Sequence, residues 1–223
     1  MDHIEVDAAG VPSPLSARHV PYIALTAGET SVRRDLVSGA DGWITYRNPG
    51  PFDRYPQIDV LLARYEGTPR GPVDGNRLSP YRQFHCMERL VCQGCGRRSA
   101  ARSHGNGVLW VLPKALETGE PAPLAGPSDM PPSCARCAVH WCPVLAERGR
   151  LLCWVGEAEV TGVYADVYPP PKGIMVPERY VPLEDEQTLS AAVATRLVRD
   201  LRQVTLADES DVAELLAHQR RSC

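Results

Sequence analysis

Four of the eight cysteines in this 223-residue chain fall into two Cys-x-x-Cys motifs, Cys92 with Cys95 and Cys134 with Cys137. Two thiolates three positions apart on a tight turn can bind one metal ion, and two such turns supply the four sulfur ligands of a tetrahedral zinc site. In a reducing compartment, paired motifs of this kind are more often metal ligands than disulfides. The spacing therefore predicts a structural Zn²⁺ ion held by these four side chains.

The remaining cysteines and a nearby histidine leave some ligand choices open. His140 lies three positions after Cys137, where one helical turn would bring it to the metal, so it is the best substitute for a cysteine that does not coordinate. Cys142 is the other side chain close enough in sequence to be considered. Cys86 and Cys153 lie in apolar surroundings, as Cys142 does, and these surroundings favour burial as small apolar side chains.

The region 86–143 resembles a zinc ribbon. The stretch GVLWVLP, which begins at Gly107, supplies at least one strand between the two motifs, and the proline-rich segment 119–133 is a long insertion. Gly94 and Gly96 suit a metal-binding turn, because such a turn brings backbone amides toward the sulfurs and often needs a positive φ. The resemblance implies a structural metal ion and no particular reaction.

A catalytic alternative rests on His104 and Asn106, which lie between the two motifs. This outline resembles the His-Asn-His endonucleases, in which a histidine activates water and a divalent metal stabilises the leaving oxygen of a phosphodiester. The resemblance implies His104 as general base, with Asp129 or His140 as a metal ligand. Ser103 departs from that family's pattern, which usually has a charged residue at this position.

Missing motifs argue against several common enzyme classes. The chain has no Walker loop, no Gly-x-Gly-x-x-Gly, no His-Glu-x-x-His and no Gly-x-Ser-x-Gly. A cytidine-deaminase site needs Pro-Cys-x-x-Cys, but Ser133 separates Pro132 from Cys134 here. Neither cysteine motif follows a strand and opens a helix as in thioredoxin-like proteins. The missing motifs therefore favour a binding or scaffold protein over these enzymes.

The cysteine-rich region is the basic part of the chain. Residues 82–150 contain nine basic and five acidic residues, whereas the whole chain has a net charge of −3. Arg89, Arg97, Arg98 and Arg102 surround the first motif, and with Trp110 they could contact phosphates and stack a base. Arginine makes up 22 of the 24 basic residues, which also fits a GC-rich bacterial genome and simple solvated charge. The partner, protein or nucleic acid, stays open.

The N-terminal third reads as short strands around one helix. VPYIAL, WITY and IDVLLARY have strand composition. Thr26 and Glu29 stand three positions apart as in a capping box, which predicts a helix through Val32 and Leu36 that ends at Gly39. After the cysteines, LLCWVGEAEVTGVYADVY predicts a hairpin that turns near Gly156.

The C-terminal region predicts two helices. Leu189, Val193, Leu197 and Leu201 recur every four residues after the candidate N-cap Asp185, and a second helix is expected from Asp208. The predicted fold is α+β, with small antiparallel sheets around a central zinc ribbon and two C-terminal helices. We expect three regions, 1–81, 82–150 and 151–223, that share one core. The short apolar runs and the acidic N-terminus predict a cytoplasmic protein without a membrane span.

Overall fold

The computed structural model describes residues 21–99, 107–113, 125–134, 150–168, 175–208, 210–211 and 213. The chain divides into two compact units, each made of segments distant in sequence. Unit 1 comprises residues 1–23, 85–160 and 199–223, and unit 2 comprises residues 24–84 and 161–198. The division of the sequence into 1–81, 82–150 and 151–223 stays a prediction.

Strands dominate the described part of the chain. They are β1 (Ala24–Thr26), β2 (Glu29–Ser31), β3 (Leu36–Ser38), β4 (Ile44–Tyr46), β5 (Arg54–Tyr55), β6 (Val60–Leu62), β7 (Tyr65–Gly67), β8 (Val73–Leu78), β9 (Val108–Pro113), β10 (Gly126–Ser128), β11 (Arg150–Val167), β12 (Val176–Pro182) and β13 (Ala192–Leu206). The complete helical elements among the described residues are α1 (Pro80–Arg89), the four-residue α2 (Glu186–Leu189) and a 3₁₀ turn (Arg33–Asp35). The α+β prediction is therefore wrong, and the fold is mostly β.

The largest sheet has seven strands. Its order is β12-β11-β13-β6-β5, with β9 also pairing with β11 and β10 with β13. Strands β6 and β13 pair in parallel, whereas β9 and β12 run antiparallel to β11. Three two-stranded antiparallel ladders, β1-β8, β2-β7 and β3-β4, complete the described β-structure. The strands predicted in WITY, IDVLLARY and GVLWVLP are confirmed as β4, β6 and β9.

Only the first turn of the first predicted C-terminal helix forms. Asp185 is its N-cap, as predicted, and its Oδ1 accepts from the N–H of Thr188 at 3.0 Å, but α2 ends at Leu189 and the rest of the predicted helix is strand β13. Val193, Leu197 and Leu201 are buried on β13, as a helix stripe would be, but so are Ala194 and Val198. A four-residue interval is a multiple of the two-residue period of a strand, so the same spacing places these side chains on one face of either structure. The second predicted helix, from Asp208, lies mostly outside the described residues.

The predicted hairpin near Gly156 is one continuous strand. Gly156 lies inside the 18-residue strand β11, and a Cβ atom at this position would lie 2.8 Å from Oε1 of Gln203. The glycine therefore makes room for a neighbouring side chain and does not turn the chain, which is one of the roles of glycine within a sheet.

The predicted helix through Val32 and Leu36 is also wrong. The backbone N–H of Thr26 donates to Oε2 of Glu29 at 2.9 Å, as in a capping box, and the Thr26 hydroxyl donates to the same oxygen at 3.1 Å, whereas in a capping box it would accept from the N–H of Glu29. These bonds instead close the turn between β1 and β2, and β2 pairs with the antiparallel strand β7. A Thr-x-x-Glu pair can satisfy the amides of a tight turn as well as those of a first helical turn, so local spacing does not separate the two structures.

Each unit has its own apolar cluster. In unit 1, Trp110, Val155 and Leu201 pack together, and in unit 2 the cluster contains Tyr46 and Leu61. Trp110 is completely buried, so the expectation that it stacks a base is wrong. No helix among the described residues is long and apolar enough to span a membrane.

Candidate metal centre

The end of helix α1 positions the first cysteine motif. Leu90 takes a left-handed conformation with φ of 52°, and the N–H of Val91 donates to the carbonyl of Cys86 at 3.0 Å, so the helix stops here. The Arg199 guanidinium donates from Nε to the carbonyl of Met87 at 2.9 Å, and its positive charge suits the negative end of the helix. The chain therefore leaves α1 in a fixed direction, and Cys92 follows three residues after the last helical residue, Arg89.

Residues 92–96 form a compact turn around the first thiol. The N–H of Cys92 donates to the carbonyl of Arg97 at 2.6 Å, and the N–H of Gly96 donates to the carbonyl of Cys92 at 2.8 Å. The N–H of Gly94 donates to Sγ of Cys92 at 3.3 Å, so a backbone amide points at this sulfur. Gly96 has a φ of +66°, as expected for a turn that needs the left-handed region.

Backbone hydrogen bonds hold the second cysteine segment beside this turn. The N–H of Gln93 donates to the carbonyl of Pro132 at 2.9 Å, and its side-chain amide donates to the hydroxyl of Ser133 at 3.2 Å. The N–H of Ser133 donates to the carbonyl of Leu109 in β9, at 2.9 Å. Cys134 is therefore positioned through strand β9 and through the first turn.

Three thiols meet as a result. The Sγ atoms of Cys92, Cys95 and Cys134 all lie within 4.8 Å of one another, and those of Cys95 and Cys134 are 3.9 Å apart. A tetrahedral zinc site with Zn–S bonds of about 2.3 Å has sulfur atoms about 3.8 Å apart. Cys92 and Cys134 are buried, whereas Cys95 is partly exposed. The cluster, which we call the thiol cluster, could hold a metal ion.

The thiol cluster contains three of the four predicted ligands. Cys137, the fourth, lies outside the described residues, as do the candidate substitutes His140 and Cys142. The general base of the endonuclease alternative, His104, also lies there, so that function stays a prediction. Asp129, its candidate metal ligand, is described and lies half-buried just after β10.

Two further thiols have a different environment. Cys86 and Cys153 are fully buried, which confirms the prediction that they act as small apolar side chains. Burial raises the pKa of Cys153 to about 11, so this thiol stays protonated at neutral pH and is a poor metal ligand. Sγ of Cys86 donates weakly to the carbonyl of Cys92 at 3.7 Å, and it therefore braces the turn that carries the first ligand.

Residues 22 and 23 also support this turn, a role that no sequence motif indicated. The N–H groups of Tyr22 and Ile23 donate to the carbonyls of Gly94 and Gln93, at 2.9 and 3.2 Å. The Tyr22 ring lies over Gly96, where an added Cβ would be 3.1 Å from the ring. Gly96 is therefore needed for this contact as well as for its backbone conformation.

Exposed arginines flank the first turn. Arg97 directly follows the turn, and Arg98 forms an isolated β-bridge with Val91. Both are exposed, and so is Arg89 at the end of α1, whose Nε lies 3.0 Å from Oε2 of Glu88. Arg102, the fourth predicted contact to nucleic acid, lies outside the described residues. Comparisons with protein-family models, with curated proteins and with solved structures find no match for this chain.

Proposed function

We propose that this is a binding protein stabilised by a structural Zn²⁺ ion, which is held by Cys92, Cys95, Cys134 and Cys137. The observation that carries the proposal is the thiol cluster, in which cysteines 39 positions apart in the sequence lie within coordinating distance of one ion. The sequence motif supplies Cys137 as the fourth ligand.

The chemistry of the donors supports zinc in a structural role. Thiolates are soft ligands that select zinc, copper(I) or iron–sulfur clusters over magnesium and calcium. Four thiolates fill the tetrahedral shell of zinc and leave no position for water or substrate, so such a site stabilises the fold without catalysing a reaction. Because thiolate ligands persist in a reducing compartment, we also propose a cytoplasmic location.

Metal analysis tests the proposal directly. Protein purified without added zinc should contain one zinc per chain by elemental analysis, and Cys137→Ser should lower that occupancy. Cys153→Ser is the matched control, because Cys153 is a buried cysteine outside the thiol cluster and its replacement should leave the zinc content unchanged. Metal-free protein with an unaltered melting temperature would refute the proposal.

We further propose that the arginines beside the metal turn contact the phosphates of a nucleic acid. Arg97 and Arg98 support this, since both are exposed and the hydrogen bonds of the turn fix their backbone. Phosphate contacts from arginine are largely independent of base sequence, and they weaken steeply as salt rises.

Binding of fluorescently labelled single-stranded and duplex DNA and RNA, measured by anisotropy between 50 and 200 mM salt, tests this contact. The double substitution Arg97→Ala, Arg98→Ala should weaken binding at least tenfold and lower the salt slope by about one for each arginine. Arg34→Ala, Arg70→Ala removes the same charge from two other exposed positions and should change the affinity little. An equal loss in both double variants, or no binding by the parent protein, would contradict the proposal.

A further inference from the structure

The three sulfurs of the thiol cluster differ in their exposure to solvent. Cys92 is completely buried and Cys134 is 6% exposed, whereas Cys95 is partly exposed. Cys86 and Cys153, which lie outside the cluster, are also completely buried. Oxidation of a cysteine depends on its exposure and on its thiolate character. Among the cysteines that the structure describes, Cys95 is therefore the one that a dissolved oxidant reaches first.

The proposed zinc ion would keep the exposed sulfur in its reactive form. A cysteine must lose its proton to bind a metal, and the same thiolate is the nucleophile that attacks an oxidant. Cys153 provides the contrast, because burial raises the pKa of its thiol to about 11 and keeps it protonated at neutral pH. Exposure and thiolate character thus coincide at Cys95.

Cys134 supplies a second sulfur beside the first. The Sγ atoms of Cys95 and Cys134 lie 3.9 Å apart, and a disulfide bond is about 2.05 Å long, so the two atoms must approach by about 1.9 Å. The hydrogen bonds from Gln93 to Pro132 and Ser133 join the two segments without any metal. The two sulfurs should therefore stay close together after the ion has left, which favours a disulfide over further oxidation of one sulfur.

On the basis of the zinc site proposed above, we propose that a peroxide oxidises Cys95 and Cys134 to a disulfide and so releases the ion. Sγ of Cys95 attacks one oxygen of hydrogen peroxide, the O–O bond breaks, and the leaving oxygen takes a proton from solvent and departs as water. The sulfenic acid that forms on Cys95 is then attacked by Sγ of Cys134. The S–S bond forms, the S–O bond breaks, and the oxygen takes a second proton and departs as water. The two thiolates together lose the two electrons that reduce the peroxide.

Disulfide formation removes two of the four proposed zinc ligands. The thiolate is the form of cysteine that binds a metal, and two remaining thiolates do not fill the tetrahedral shell of a structural zinc. A thiol reductant cleaves the disulfide by exchange and restores both ligands. Occupancy of the metal centre would therefore respond reversibly to peroxide.

Peroxide treatment of the zinc-loaded full-length protein tests this inference. Zinc release is followed with a chromogenic chelator, and the disulfides are mapped by mass spectrometry after digestion without reductant. We expect zinc release to keep pace with formation of a Cys95–Cys134 disulfide, and dithiothreitol with added zinc to restore the metal content. Cys153→Ser is the matched control and should release zinc at the parent rate, because Cys153 lies outside the thiol cluster.

Cys95→His separates the reactive sulfur from the ligand position. Zinc also accepts three cysteines and one histidine, so the variant removes the sulfur and offers another ligand in its place. Peroxide should release zinc from this variant at least about tenfold more slowly, because the other described ligands, Cys92 and Cys134, are buried. If the variant binds no zinc, the disulfide map of the parent protein decides alone.

Three results would overturn the inference and leave the zinc site standing. Zinc stays bound after peroxide treatment, or the first disulfide lacks Cys95, or Cys95→His releases zinc as fast as the parent protein. Metal analysis before peroxide is added separates a different failure, since a parent protein without zinc refutes the proposed function, and release of the ion with it.

Discussion

Two irregular segments of this protein are held by polar cross-links of different kinds. In unit 1, the turn at residues 92–96 and the segment at 132–134 bring three thiols together. In unit 2, the turn between β1 and β2 is held by Glu29, whose carboxylate meets the Arg82 guanidinium at 2.7 Å. In our proposal an ion from outside the chain completes the first cross-link, whereas the chain itself supplies both partners of the second. The stability of the two segments should therefore respond to different conditions.

Both members of the Glu29–Arg82 ion pair make further hydrogen bonds. The carboxylate accepts from the N–H and the hydroxyl of Thr26, and Nη2 of Arg82 also donates to the carbonyl of Ala24 at 3.0 Å. Both side chains are only 10% exposed. A buried pair of this kind is costly to break, because removing one partner leaves the other as an uncompensated charge.

Loss of a metal ligand should have the largest effect. Cys134→Ala should lower the free energy of unfolding by at least about 5 kcal/mol in zinc-containing buffer, because binding of a structural zinc contributes directly to folding. Cys153→Ala removes a buried thiol outside the thiol cluster and should cost about 1 kcal/mol. Urea denaturation of both variants measures the difference, and equal losses would mean that the thiol cluster does not hold an ion.

Breaking the ion pair should rank second. Glu29→Gln leaves the Arg82 charge buried without its partner and should cost about 3–5 kcal/mol, a loss that a zinc chelator does not change. The double substitution Glu29→Gln, Arg82→Met should recover part of it, because the uncompensated charge is then gone. Chemical denaturation with and without chelator checks both points. A loss below about 1 kcal/mol would show that the pair is effectively solvated.

Adding a methyl group between strands β11 and β12 in unit 2 should lower the stability by a smaller amount. A Cβ atom at Gly162 would lie 2.6 Å from the Tyr180 ring and 2.7 Å from the carbonyl of Val181, so Gly162→Ala should cost about 1–3 kcal/mol. Gly107 in unit 1 is the matched control, because a Cβ atom added there would lie 3.6 Å from its nearest neighbour, Cβ of Trp154, which is an ordinary van der Waals distance. Gly107→Ala should be neutral or slightly stabilising. Thermal unfolding of the two variants compares them directly.

The smallest effect should appear only at high pH. Burial, and then the nearby Asp53 charge, raises the pKa of Tyr46 from 10.0 to about 12. The folded state therefore holds this proton more tightly than the unfolded chain does, so the contribution is complete below pH 10 and is lost as the pH rises toward 12. Tyr46→Phe should flatten the fall in stability over this window. A tyrosinate absorbance titration that shows Tyr46 ionising near pH 10 would contradict the assignment.

The site was more predictable from the sequence than the fold. A Cys-x-x-Cys pair carries its chemistry in its own spacing, so the sequence indicated Cys92, Cys95 and Cys134 as a group before their geometry was known. Strand β13 shows why the fold was harder to predict, because Val193 and Leu197 satisfy both a helical and an extended period. What decides between them is hydrogen bonding to distant strands such as β6, and a local pattern does not contain that information.

Glycines and the capping pair illustrate the same limit. The Thr26–Glu29 hydrogen bonds form as the spacing predicts, yet they close a turn because β2 finds a distant partner in β7. Gly156 was expected to turn the chain, but it serves instead to accommodate Gln203. In each case the sequence marked a residue that matters locally. The partner that decides which structure forms lies about 35 to 50 residues away along the chain.

If the proposed ion binds, the hydrogen bonds that Tyr22 and Ile23 donate to the turn at residues 92–96 make these two amides reporters of its occupancy. Their acceptors, the carbonyls of Gly94 and Gln93, keep their positions while the turn is intact. If the ion is withdrawn and the turn loosens, both amide hydrogens should exchange with solvent faster. Hydrogen exchange at these two positions would therefore report metal loading on intact protein, without any substitution of a cysteine.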